Sequence, residues 1–418
     1  MGRQEALYVE LSRQSKGGLQ LISFIRICEP LAIDTLRSGL EILHQYHPLL
    51  RARVEKDNKY RWVCDVDFSE IPIDVYRLDE DMDFEREYSN QARKYIDSDR
   101  YAYCLSIFCN HEGLVQWVIV NNIHAIMDGR SIMTLFLQLD QLVQKNKPFI
   151  GNESQPLGES IAKILEAAGY AGEKHIFHDA DDQKLNWPVE KVAPASKRQA
   201  GAIARLLCPE DLHQLAKIGK DRGVKLTAIL CAIASIASVV LPTYKKGEEI
   251  ILALDGRGLC TPPIPLEHIG SFSQTIQLSI PEDPTSVDII DFAENLQSQI
   301  YKVLTKQRPL AKKIVSAYTV AEVEAMARET ISGSESFFAG ICISNVGSLN
   351  KLGGRMKFFD IEKGMVTQTN GINPLMVISY TTNKNSVFVF GYCEPLLSRN
   401  SALLYIKRYM DIISGLIR

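Results

Sequence analysis

An α/β or α+β fold with mixed sheets, divided between two halves, is what this sequence predicts, on three observations. Strand-like and helix-like segments alternate through both halves, the texture of packed αβ layers. The chain has 418 residues, more than a single hydrophobic core usually supports. From about 150 to 198 the pattern loosens into polar stretches broken by Pro and Gly, "NESQPLGES", "GEKHIFHDADDQKLNWP" and "APASKRQAGA", where the crossing between halves is expected. The expected division is a first half over 1–175, a crossing over 176–198 and a second half over 199–418.

In the first half, "LQLISFIRI" (19–27) is rich in β-branched and apolar residues and reads as a strand. "EPLAIDTLRSGLEILHQYH" follows with Leu36, Leu40 and Leu43 at helical spacing, an amphipathic helix. "KYRWVCDVD" and "IPIDVYRL" read as short strands, and "CLSIFCN" and "LVQWVIVNNI" flank "HEG" as a hairpin. The second hairpin strand runs straight into His124. After Gly129, "RSIMTLFLQLDQLVQ" sets Ile132, Leu135, Phe136, Leu139 and Val143 on one helix face. His124 is therefore expected at a strand end, in a short loop that leads to a helix.

The second half resumes the same texture. A helix at "PEDLHQLAKIGKD" precedes "LTAILCAIASIASVVL" (226–241), which is too short to span a bilayer comfortably and reads as a buried core helix. "EIILALD" reads as a strand ending in "GRG", and "SFSQTIQLSI" as a strand before a long helix from about 286 to 306. "FAGICISNV", "PLMVISY" and "SVFVFGY" are further strands, and a final helix runs from about 401 to 416.

Hydrophobic residues make up 46% of the chain, enough for sizeable cores, and the formal net charge of −3 gives no electrostatic reason to expect nucleic acid or an anionic membrane as partner. The nine cysteines lie singly without Cys-x-x-Cys spacing, which reads as reduced thiols in small core positions rather than a disulfide framework or zinc site. The start, "MGRQEALYVELSRQ", lacks a secretory apolar core and carries Ala6 where a myristoylation site wants Ser or Thr. A cytoplasmic protein without a membrane span, and a monomer, is the expectation. "NES" at 152–154 matches a glycosylation sequon, which carries no meaning in that compartment.

The stretch that carries chemistry is "NNIHAIMDGR" (121–130), an imidazole and a carboxylate four positions apart where an apolar run breaks off. Taken alone it is equally a strand that ends in an Asp-Gly turn. A histidine in such a turn can act as a general base near neutral pH, provided its ring is fixed with one nitrogen toward substrate. Asp128 has two candidate roles: it could hold the His124 ring, or turn away, bind an arginine and brace the loop. Gly129 permits the tight turn and a closely packed helix start.

"HAIMDG" (124–129) resembles the His-x-x-x-Asp-Gly motif of the chloramphenicol acetyltransferase-like superfamily, which includes peptide condensation domains, polyketide-associated acyltransferases and plant-type alcohol acyltransferases. Three more stretches match in order and spacing: "LHQYHPLLRARV" (43–54), "LDGRGLCTPPIPLEHIGSFS" (254–273) and "ISNVGSL" (343–349). Two features depart from the pattern. Ile123 stands where many members have a first histidine, and the plant-type Asp-Phe-Gly-Trp-Gly signature is absent, which favours the condensation and polyketide-associated branch.

The resemblance implies two similar αβ lobes in a V with a tunnel between them. It implies His124 as general base, with Asp128 pointing away to pair with an arginine at the position of Arg51. The reaction implied is transfer of an acyl or polyketide chain from a thioester to a hydroxyl acceptor. Acyl-CoA or a phosphopantetheinyl carrier protein serves as co-substrate, with no bound cofactor and no metal. Oxyanion or tunnel positions are sought at the backbone near Gly129 and at Ser344, Asn345 and Arg257; Arg257 is equally a turn residue. Two rival functions share the resemblance: a free-standing condensation domain forming amides, and a catalytically silent module that binds carrier proteins. The segment near "GRGLCTPPIP", stiffened by Pro262, Pro263 and Pro265, is expected to reach back over the first half.

Other candidates are weaker. His175, His178 and Asp179 have metal-compatible spacing but no third partner in sequence, so a solvated linker is expected there. His44 and His47 suit packing or capping, and "KLGGR" (351–355) suits a hairpin turn rather than a phosphate loop.

Overall fold

The computed structural model describes residues 1–78, 80–144, 155–167, 187–247, 249–260, 262–305, 317–332, 336–348, 356–382 and 384–418. Strands of the two main sheets are, in chain order, β1 (Gln20–Ile27), β2 (Ile73–Arg77), β3 (Tyr103–Cys109), β4 (Val115–Ile123), β5 (Gln199–Leu207), β6 (Ile250–Asp255), β7 (Ser273–Leu278), β8 (Cys342–Ser348), β9 (Phe359–Gln368), β10 (Met376–Thr381) and β11 (Ser386–Glu394). The helices that matter here are α1 (Arg3–Ser15), α2 (Ile33–Tyr46), α3 (Phe84–Ala92), α4 (Gly129–Val143), α5 (Pro209–Lys220), α6 (Leu226–Ser238), α7 (Ile289–Leu304), α8 (Val320–Ser332) and α9 (Arg399–Ile417).

The fold is mixed α/β. One sheet has five strands in the order β9-β1-β4-β3-β2, the other six in the order β7-β6-β8-β10-β11-β5. β3 and β4 pair antiparallel, the hairpin read from "HEG", while β8 runs parallel to both β6 and β10. Periodicity explains the helices. Leu36, Leu40 and Leu43 of α2 are buried, as are Ile132, Leu135, Phe136, Leu139 and Val143 of α4. The central helix α6 is buried from Ala228 to Ser238 because α7 and α9 both pack on it, which leaves no face for polar residues.

β9 crosses the expected division. It pairs antiparallel with β1, from Gln20 opposite Gln368 to Ile27 opposite Phe359, and so completes the sheet of the first half with residues from beyond 199. The register slips between Phe24 and Arg26. Nearby Gly364 adopts φ 147, and a Cβ there would meet Phe84 and Val389 at 3.0 Å, so only glycine fits. α8 also belongs with the first half, because it packs on α1 and buries Val323 and Ala327 in that core. The boundaries at 175 and 199 therefore do not partition the strands. Residues 168–186, which carry most of the expected crossing together with His175, His178 and Asp179, lie outside the described residues, as do 351–355.

The segment expected to reach back does so. The carbonyl of Gly270 accepts from the Asp128 N–H at 3.1 Å and from Ser131 Oγ at 2.8 Å, and the carbonyl of Leu266 accepts from Thr134 Oγ1 at 2.8 Å. Six cysteines are buried, but Cys28 and Cys208 are exposed and Cys64 is half-buried, so the expectation of core positions fails for three of nine. Among the described residues, no helix is long and apolar enough to cross a membrane.

Candidate functional site

His124 follows the last residue of β4, and its backbone N–H is tied to the carbonyl of Leu19 at 2.9 Å, just before β1. Its place is therefore set by two adjacent strands of one sheet. The loop behind it is apolar and buried at Ala125, Ile126 and Met127. Asp128 then caps α4, its carboxylate accepting from the Ser131 N–H at 2.8 Å.

His124 lines a cavity of about 210 Å³. Leu7, Leu11, Leu21, Ile251, Met376 and Ile378 supply apolar lining; Gly129, Arg130, Asp255, Ser273, Thr275 and Ser344 supply polar lining. The imidazole Nδ1 is buried, and the ring faces the cavity beside Tyr8. Burial lowers the His124 pKa below the usual imidazole range, against an opposing pull from its own main chain and from Asp128. The ring is neutral at neutral pH, the form a general base requires.

Asp128 does not hold the His124 ring. Its Oδ2 accepts from Arg257 Nη1 at 2.9 Å and from the Phe272 N–H at 3.0 Å, and its Oδ1 accepts from Arg257 Nη2 at 3.2 Å as well as from Ser131. Burial raises the Asp128 pKa, but the Arg257 charge and these hydrogen bonds outweigh it and hold the carboxyl below its ordinary value. The pair is almost wholly buried, with Arg257 2% exposed and Asp128 4%.

The arginine partner is thus Arg257, not Arg51. Arg51 ends a 3-10 turn at Pro48–Arg51 after α2, where its charge bears on His44 and Cys64. Arg257 is drawn in because β6 ends beside the start of α4. Its guanidinium also donates to Asp255 Oδ1 at 3.1 Å and Ser131 Oγ at 2.8 Å, and it stacks on Phe272 with 4.4 Å to the ring centroid. Those bonds engage both terminal nitrogens of Arg257 and brace the loop, while its Nε is buried without a partner by the same geometry. Arg130, next along α4, lies 3.1 Å from the other oxygen of Asp255.

Ser344 and Asn345 both reach the cavity lining. The Asn345 amide is committed elsewhere: Nδ2 donates to Thr227 Oγ1 at 2.9 Å and Oδ1 accepts from the Gly347 N–H at 3.1 Å. Ser344 has no such commitment among the described residues. His44 is fully buried between Tyr103 Oη at 3.0 Å and the Val66 carbonyl at 2.9 Å, and burial takes His47 to about 4. Among the described residues, no group of three or more His, Cys, Asp and Glu could hold a metal ion.

Sequence reasoning missed Tyr8. It projects from α1 into the same cavity, its ring centroid 5.4 Å from that of His124. The available signal was Leu7 and Leu11, one helical turn apart in "EALYVEL".

No protein-family model and no curated protein matches the sequence. Solved structures do match in fold. The chain is similar to polyketide synthase associated protein 5 from Mycobacterium tuberculosis, at 12% identity over 98% of this chain and 96% of that one, with a TM-score of 0.69. A trichothecene 15-O-acetyltransferase from Fusarium sporotrichioides matches at 13% identity, 99% and 94% coverage and TM-score 0.68. The first condensation domain of the calcium-dependent antibiotic synthetase matches at 12% identity, 100% and 95% coverage and TM-score 0.68. This chain has the chloramphenicol acetyltransferase-like fold of condensation domains and acyltransferases.

Proposed function

We propose that the chain is an acyltransferase that moves an acyl or polyketide chain from a thioester to a hydroxyl, with His124 as general base. The reading is carried by one observation: a neutral imidazole, with Nδ1 buried, lines a largely apolar cavity on a loop braced by the Asp128–Arg257 pair.

The reaction balances without a metal or a covalent enzyme intermediate. His124 takes the proton of the acceptor hydroxyl as its oxygen bonds to the thioester carbonyl carbon. The carbonyl electron pair moves to oxygen, then returns as the carbon–sulfur bond breaks. The leaving thiolate takes the proton from the imidazolium. The products are an ester and a thiol. General-base help contributes about 10²–10⁴-fold, and holding both substrates in line about 7–11 kcal/mol. The donor is carried on coenzyme A or on the phosphopantetheine arm of a carrier protein. Donor and acceptor meet at His124 from the two ends of a passage between the halves, and Ser344 lines that passage.

A panel of acyl-CoA and acyl-pantetheine thioesters, offered with a mixture of alcohols and read by mass spectrometry, tests the reading. Ester products are expected from the native chain and none from a His124→Ala variant that keeps its circular dichroism and melting temperature. A folded His124→Ala variant that turns over at the native rate leaves the general-base role untenable.

A further inference from the structure

Tyr8 sits beside the base with a hydroxyl whose direction the structure fixes. Gln4 Nε2 donates to Tyr8 Oη at 2.8 Å and to the Ser273 carbonyl at 3.0 Å. A carbonyl can only accept, so the Gln4 amide cannot be turned the other way. Its Oε1 in turn accepts from Gln274 Nε2 at 2.9 Å, and that nitrogen is fixed by its own bond to the Ser273 carbonyl at 2.9 Å. The two glutamines thus make the Tyr8 oxygen an acceptor on one side and leave its proton to point elsewhere. Among the described residues no acceptor takes that proton. The phenol lines the cavity that holds His124, and burial pushes it up to about 12, so it keeps its proton at neutral pH.

A directed donor with an unused proton, in a cavity lined mostly by apolar side chains, suits an oxygen that gains charge during reaction. Asn345 Nδ2 already gives one of its two protons to Thr227 Oγ1, whereas the Tyr8 proton has no acceptor among the described residues. We infer that Tyr8 is a catalytic residue that donates a hydrogen bond to the thioester carbonyl oxygen as it becomes an oxyanion. Gln4 and Gln274 are positioning residues for it. The inference rests on the acyl-transfer reading. The proton stays on Tyr8 throughout: the acceptor proton travels by way of His124 to the departing thiol, and the phenol only shares its hydrogen with the oxyanion.

The probe is octanoyl-pantetheine, which presents the arm common to coenzyme A and carrier proteins, with 1-octanol as acceptor. Tyr8→Phe keeps the ring against His124 and removes only the hydroxyl. Loss of one such donor is expected to lower kcat by about 10²–10³-fold with little change in KM. Gln4→Met, which frees the hydroxyl to turn, should give a smaller loss in kcat. A second measurement needs no turnover. With carbonyl-¹³C probe bound to His124→Ala, the C=O stretch should lie at lower wavenumber than with the probe bound to the His124→Ala/Tyr8→Phe double variant.

Native kcat in Tyr8→Phe beside an inactive His124→Ala, or an unchanged C=O stretch, overturns the Tyr8 assignment and leaves the base standing. Native kcat in His124→Ala overturns the acyl-transfer reading and this assignment together. So does a native chain that neither binds nor turns over the probe.

Discussion

Removing Arg257 is the most direct test of how the site is held. Asp128 is buried, and two of its four hydrogen bonds come from that guanidinium, at 2.9 and 3.2 Å. An Arg257→Ala variant leaves the carboxylate with only the Ser131 and Phe272 N–H groups, and Asp255 and Ser131 Oγ each lose a donor. Breaking a buried pair by deleting one member typically costs about 3–5 kcal/mol. At about 2.1 cal/mol/K of unfolding entropy per residue, a chain of 418 residues loses roughly 3–6 °C of melting temperature.

Calorimetry of Arg257→Ala, Asp128→Ala and the double variant gives the coupling directly. The double variant should lose less than the sum of the singles, by about 0.5–3 kcal/mol, because neither leaves a buried charge unpaired once both are gone. The same cycle between Asp128 and Arg51 should show no coupling. The pair also acts through pH. Asp128 has a folded-state pKa below its unfolded value, so its contribution is complete above about pH 4 and is lost as pH falls through the lower folded value. An Arg257→Ala variant with the native melting temperature, or an Asp128–Arg51 coupling as large as the Asp128–Arg257 one, would refute this account of the loop.

Three further outcomes follow from the same geometry. The acid limb of kcat/KM should fall with a midpoint below the ordinary imidazole value of about 6.5, because burial lowers His124 and keeps the basic form present; a midpoint above it contradicts the site's electrostatics. Enlarging the small lining residue Ala339 to Phe should shift donor preference toward shorter acyl chains and leave the ranking of acceptors unchanged, read as kcat/KM ratios over an acyl-pantetheine series. Gly340→Ala would place a Cβ 2.0 Å from the Glu249 backbone carbonyl and should cost about 1–3 kcal/mol by thermal denaturation; native stability would mean that backbone yields easily.

What the sequence made legible follows from the range of the forces involved. β1, the β3–β4 hairpin, α2, α4 and α6 were readable because each satisfies its own apolar periodicity. α1 was not, since "RQEALYVELSRQS" buries Arg3, Glu5 and Glu10 along with its apolar residues. β5 hid in "QAGAIARLL", at the edge of a polar stretch, and β9 in "FDIEKGMVTQ", whose charges and Gly364 disguise a strand. Both are strands because a neighbour supplies the pairing, which local propensity does not encode. At the site, His124, Asp128 and Gly129 stand in one motif and were visible together. The choice between Arg51 and Arg257 was not, because it depends on chain 129 positions further on folding back. Tyr8 escaped for the same reason: its hydroxyl is oriented by Gln274, 270 residues from Gln4.

The late arrival of β9 bears on how the molecule is made. On the ribosome, β1 and β4 can pair as soon as Ile123 has emerged, but the other edge of β1 stays open until Gln368 follows, 368 − 123 = 245 residues later. At about 5–20 residues per second, that interval is roughly 10–50 s. For that time a long, apolar strand offers unpaired N–H and C=O groups to any neighbouring nascent chain, the exposure that leads to intermolecular strand exchange. Dense polysomes or a stalled ribosome should therefore raise aggregation of this protein, and slow translation before residue 368 should do so more than slow translation after it.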